Sequence, residues 1–137
     1  MLRTETRSRA RALQLLYAWE VQGRPALDEV AFGVARLIGA RPKVFAGAEQ
    51  RAAGVVGALA SLDHLVGDAA MHWRLERIGL IERNILRLGI LELQEGAVPP
   101  KTAIDEAVTL AHWFGGARAP AFVNGVLDGI ARTLGRL

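Results

Sequence analysis

Residues 101–116 read KTAIDEAVTLAHWFGG, and this stretch decides the fold. Ile104, Ala107, Val108, Ala111 and Phe114 recur at intervals of three and four, the spacing that gathers apolar side chains on one face of an α-helix. Gly115 and Gly116 stop the helix, with Gly115 well suited to the C′ position. Further on, Pro120 fits the first turn of a last helix that runs to about Leu134 and buries Val123, Val126, Leu127, Ile130 and Leu134. Working back, residues 96–100 break the chain after a helix over 80–95. Its Ile81, Ile85 and Leu88 point inward, with Glu82, Arg83 and Arg87 around the other side. The helical period also predicts helices over 5–22, with Thr4 as N-cap and Gly23 as stop, over 27–38, and over 44–66, with Val55, Leu59, Leu62 and Val66 at core spacing. A short helix capped by Asp68 is expected through about Arg77. No segment alternates like a strand. The expectation is an all-α chain: a compact bundle of about seven helices, one domain over 1–137, in helical halves of about 1–67 and 68–137.

Composition narrows the function. The chain has 137 residues and no cysteine, which excludes disulfides, thiolate metal sites and cysteine nucleophiles and fits a reducing cytoplasm. No apolar run is long enough for a membrane span, and none follows the charged N-terminus as in a signal peptide. The net charge of +3 is carried entirely by the N-terminal end, where Arg3, Arg7, Arg9, Arg11 and Arg24 face only Glu5 and Glu20. Such asymmetry points to a polyanion contact at that end.

Three groups of side chains are candidate sites. Arg3, Arg7 and Arg11, spaced by four, form a ridge on the first helix that suits a phosphate track, with Tyr17 and Trp19 as stacking partners where exposed. The plainer reading is a solvated helix face with both aromatics in the core. Phe122, near the start of the last helix, suits base stacking, and Asn124 suits base-edge hydrogen bonding. The plainer reading has Phe122 closing the bundle and Asn124 bonding locally. Gly125, unfavourable inside a helix, is best explained by close helix packing. Glu76, Glu82 and Glu92 suit a basic protein partner, or simply pair with Arg83 and Arg87 nearby. Catalysis finds no support. His64, His72 and His112 lack metal-ligand spacing, Ser8 and Ser61 lack a nucleophile elbow, and no phosphate loop is present. No metal and no cofactor are expected, and the chain does not read as an enzyme.

Several segments, taken in order, resemble the NusB family. They are Arg9 through Tyr17 with Trp19-Glu20, residues 82–88 (ERNILRL), Val98-Pro99 with Lys101, residues 104–108 (IDEAV), Phe114-Gly115-Gly116, and residues 122–128 (FVNGVLD). The resemblance covers nearly the whole chain. It implies an all-helical factor in transcription antitermination that binds the single-stranded boxA element of ribosomal RNA operons. Its partners would be a small ribosomal protein, NusE, and the RNA polymerase antitermination complex. Carried over residue by residue, it assigns RNA binding to Arg7, Arg9, Arg11, Phe122 and Asn124, and contact with the partner protein to Tyr17, Glu76 and Glu82. Some family members form homodimers.

The chain departs from the family between Gly116 and Phe122. An acidic pair, a serine and a basic residue are common there, whereas this chain has Ala117-Arg118-Ala119-Pro120-Ala121. Arg118 supplies a cation to the RNA surface where polar groups are missing. Pro100 also replaces an expected aromatic. Two rival roles remain open. A NusB-like domain occurs ahead of a ribosomal RNA methyltransferase; with no such segment after Leu137, the free-standing factor is the expectation. The altered stretch would also suit a diverged helical protein-interaction module without RNA specificity.

Overall fold

The computed structural model describes residues 4–39, 46–70 and 77–137. Among these, every regular element is an α-helix. They are α1 (Thr4–Val21), α2 (Leu27–Leu37), α3 (Ala46–Gly57), α4 (Leu59–Ala69), α5 (Leu80–Glu95), α6 (Pro100–Phe114) and α7 (Ala119–Thr133). They form two compact units, Met1–Gly57 and Ala58–Leu137.

In the first unit α1 packs against α2 and α3. Its buried residues include Ala12, Leu15, Leu16 and Trp19 from α1, Val30, Ala31 and Ala35 from α2, and Ala48, Ala52 and Val55 from α3. The turn after α1 clasps Trp19. Gly23 and Arg24 both have positive φ, at 85° and 63°. That bend brings the Pro25 carbonyl to accept from the indole N–H at 2.9 Å and sets the Arg24 guanidinium 5.2 Å from the ring centroid.

In the second unit α5 is the hub, packed against α4, α6 and α7, and α6 lies along α7. Its residues 84–90 are buried without interruption. Gly89 explains the closeness of the packing, because a Cβ there would lie 2.7 Å from Leu127 Cδ1. Two of the seven buried residues are polar, and both are satisfied. Arg87 is 1% exposed. It donates from Nε to Asp63 Oδ1 at 2.7 Å, from Nη2 to Asp63 Oδ2 at 2.9 Å, and from Nη1 to Asn84 Oδ1 at 2.9 Å. Asn84 Nδ2 in turn donates to the Leu80 carbonyl at 3.1 Å. A guanidinium with three named acceptors can be buried without the penalty of an unpaired charge, and the fork ties α4 to α5.

Four expectations are corrected. Arg87 does not lie on the solvent face of α5, because Asp63 supplies its counter-charge inside. The helix expected over 44–66 is two helices. The chain leaves helical geometry at Ala58 (φ −119°), where Gly54 and Gly57 have weakened α3 and the Ser61 hydroxyl donates to the Ala58 carbonyl at 2.9 Å. Asp68 lies inside the last turn of α4, paired with His64 at 3.3 Å, and does not open a helix. Finally, Gly125 has open space around it, so the close helix contact expected there falls instead at Gly89. The body of the expected fourth helix, Met71 to Glu76, lies outside the described residues.

Removing Asp63 strands a buried cation. Asp63→Ala is therefore expected to destabilise by about 3–5 kcal/mol in urea denaturation. Arg87→Met should cost less, since the carboxylate it leaves behind is 21% exposed and can take up water. Gly89→Ala should cost about 1–3 kcal/mol by overpacking, whereas Gly125→Ala should stabilise by roughly 1 kcal/mol.

Candidate nucleic-acid interface

On α1 the arginines separate into two kinds. Arg7 is exposed and Arg11 half-buried, about 6 Å apart along the axis at four residues of helical rise. Arg11 Nη1 donates to Gln14 Oε1 at 3.2 Å, which leans its guanidinium along the helix. Arg9, two residues from each, is only 4% exposed and belongs to the interior of the helix packing. Arg3 lies outside the described residues. The aromatics divide likewise. Tyr17 is 44% exposed, while Trp19 is buried under the Gly23–Pro25 turn and presents no stacking face.

The second unit carries a cleft of about 520 Å³ beside the turn between α6 and α7. Its walls are the segment Arg77-Ile78-Gly79 with Glu82 on one side, and residues 116–119 with Phe122 on the other. Glu82, in the first turn of α5, accepts a hydrogen bond from the Gly116 N–H at 3.3 Å and so pins the α6–α7 turn to α5. It does not pair with Arg83 or Arg87. Arg83 Nη2 donates to the Ile78 carbonyl at 3.2 Å, and Arg87 is held by Asp63. Arg118 is the N-cap residue of α7, with Pro120 in the first turn and the Phe122 N–H donating to its carbonyl at 3.2 Å. That register turns Phe122, half-buried, into the cleft wall. Asn124 is exposed on α7 and is not part of that wall.

Gly115, expected as a C′ residue, has an extended backbone (φ −92°, ψ 177°). Glycine is needed there for space, since a Cβ would lie 2.6 Å from Ala119 Cβ and 2.9 Å from the Ala111 carbonyl oxygen.

Of the residues singled out in the sequence, the structure therefore brings Glu82, Arg118 and Phe122 around one cleft and leaves Arg7 and Tyr17 exposed and Arg11 half-buried on α1. Glu76 lies outside the described residues. Sequence reasoning missed Arg77 and Gly79. Arg77 had been placed at the end of a helix, and the one signal for Gly79 was its position just before α5. Among the described residues there is no cluster of His, Asp or Glu able to hold a metal ion, and no helix long and apolar enough to cross a membrane.

Residues 6–132 match the model of the NusB family. The chain belongs to the NusB family. Transcription antitermination protein NusB of Sorangium cellulosum is 43% identical over 130 residues, covering 94% of this chain and 92% of that protein. Among solved structures, T. maritima NusB superposes with a TM-score of 0.81 at 28% identity, covering 96% of this chain and 93% of the other. A chain from the crystal structure of antitermination factors NusB and NusE in complex with dsRNA superposes with a TM-score of 0.82 at 26% identity, covering 97% and 99%. Among the described residues, the seven helices thus follow the fold of NusB.

Burial distinguishes the aromatics of α1 by experiment. Trp19→Phe removes a buried hydrogen bond and is expected to cost about 1 kcal/mol of stability. Tyr17→Ala, on the surface, should stay within about 0.5 kcal/mol of wild type in the same thermal denaturation.

Proposed function

We propose that this chain is a non-enzymatic RNA-binding transcription antitermination factor. With a small ribosomal protein of the NusE type it binds boxA RNA of ribosomal RNA operons and joins the RNA polymerase antitermination complex. The observation that carries the reading is the placement, in a NusB-family chain, of Arg118 and Phe122 at one cleft and of the exposed Arg7 and half-buried Arg11 on α1. Cations that can reach phosphates and an aromatic beside them are what single-stranded RNA requires. The solved complex of a NusB with NusE and RNA supports both partners.

Burial refines the assignment. Arg7, Arg11 and Arg118 hold phosphates, Phe122 gives the bases an apolar surface, and Asn124 is free to reach a base edge. Arg9 acts on the fold of α1, not on RNA. Tyr17 is the contact for the ribosomal protein. Arg118 supplies positive charge where the family commonly has polar side chains, so affinity is kept while sequence preference shifts. The site of action on this reading is the cytoplasm.

Fluorescence anisotropy of boxA and scrambled RNA, with and without NusE over a salt series, tests the reading. Preference for boxA that tightens with NusE is expected; equal binding to both RNAs, unaffected by NusE, would sink it. Replacing both Arg7 and Arg11 with alanine should lower the slope of log affinity against log salt by roughly 1.4, at about 0.7 per lost phosphate contact on a single strand. Arg9→Ala should instead leave the slope unchanged and lower the melting temperature.

A further inference from the structure

We infer that the outward face of α2 pairs with the same face of a second copy of this chain, antiparallel, about a two-fold axis between Phe32 and Gly33. The inference concerns the first unit and stands apart from the RNA-binding reading.

The face follows from burial. α2 packs on α1 and α3, and its buried residues are Val30, Ala31 and Ala35. At about 100° per residue, the opposite side of the helix carries Glu29, Phe32, Gly33 and Arg36. Glu29, Phe32 and Arg36 are exposed and Gly33 is half-buried, and Phe32 keeps 56% of its surface in solvent. A lone exposed phenylalanine is ordinary. Its neighbours are what select a partner.

Charge selects the orientation. Glu29 and Arg36 stand two helical turns apart and do not pair with each other. Among the described residues neither side chain has a hydrogen bond or ion pair. A second α2 laid antiparallel brings Glu29 level with the partner's Arg36, and Arg36 level with the partner's Glu29, so both charges are answered at once. A parallel pairing would set glutamate against glutamate and arginine against arginine, which repel. The face thus complements itself in one orientation, as an isologous two-fold contact requires.

Shape agrees with charge. In the same register Phe32 comes level with the partner's Gly33, and Gly33 with the partner's Phe32. A Cβ at Gly33 would meet nothing within 4 Å, so packing inside this chain does not call for glycine there. Within a helix glycine costs about 1 kcal/mol against alanine. A ring from a second helix can settle on the bare backbone and bring the two axes close, toward the ~8 Å end of helix-pair separations. One short helix from each copy makes a small interface, so the dimer is expected to be weak and concentration-dependent.

Sedimentation equilibrium of the full chain, from micromolar to near-millimolar concentration, reads the association. Glu29→Arg alone and Arg36→Glu alone each set like charges opposite one another and should weaken it roughly tenfold or more. Mixed in equal amounts, these two variants complement each other and should associate as wild type does with itself. Phe32→Ala should also weaken association. Gly33→Gln fills the hollow and should abolish it while leaving stability in urea equal or higher, which separates loss of the interface from loss of the fold. A monomer at every concentration would overturn the inference. So would a dimer that survives all four variants, or failure of the mixed pair to associate. Variants that weaken binding of NusE and leave sedimentation unchanged would give the face to that protein and overturn it as well.

Discussion

The second unit depends on one buried charge being fully matched. α5 is surrounded by other helices and must bury every residue from 84 to 90, yet position 87 is an arginine. The cost of dehydrating that guanidinium is met only because Asp63 reaches it from α4 with both oxygens and Asn84 turns its own oxygen toward it, one helical turn away. The pair stabilises little compared with a well-packed leucine, but it is directional, as leucine packing is not. It specifies which face of α4 meets which turn of α5. That in turn sets the start of α5, where Glu82 leaves the helix toward the α6–α7 turn. The cleft lined by Glu82 is therefore downstream of an internal ion pair that does not line it.

The helices α5, α6 and α7 were legible because their apolar residues keep the 3.6 period and because Gly96 and Gly115-Gly116 mark the ends. Their ends fall within a residue or so of those expected. The break at Ala58 was not legible, since alanine and leucine on both sides favour helix, and only Gly54 and Gly57 hinted at weakness. Arg87 was misread for a related reason. Periodicity assigns charged residues to solvent, and the partner that reverses the assignment lies 24 residues away in sequence, on another helix.

The candidate site was legible in part. The arginines of α1 were visible as a row, but sequence gave no means to tell Arg9, turned inward, from Arg7 and Arg11. Glu82 was visible as an acid near basic residues and, through the family resemblance, as a partner-protein contact. Its hydrogen bond to Gly116 and its place beside Arg118 and Phe122 follow from tertiary folding across 34 residues. Gly115 was recognised as a helix stop, though its role is steric clearance and not left-handed backbone.

The bond from Gly116 N–H to Glu82 also bears on how this surface can evolve. A main-chain donor is the same whatever side chain it carries. The anchor between α5 and the α6–α7 turn is thus indifferent to the residues at 117, 118 and 121, all exposed. Substitutions there change charge and shape at the rim without loosening the loop that displays them. A lineage can then exchange acids, a hydroxyl or a lysine for Ala117, Arg118 and Ala121 in single steps, each variant folded and open to selection on ligand preference alone.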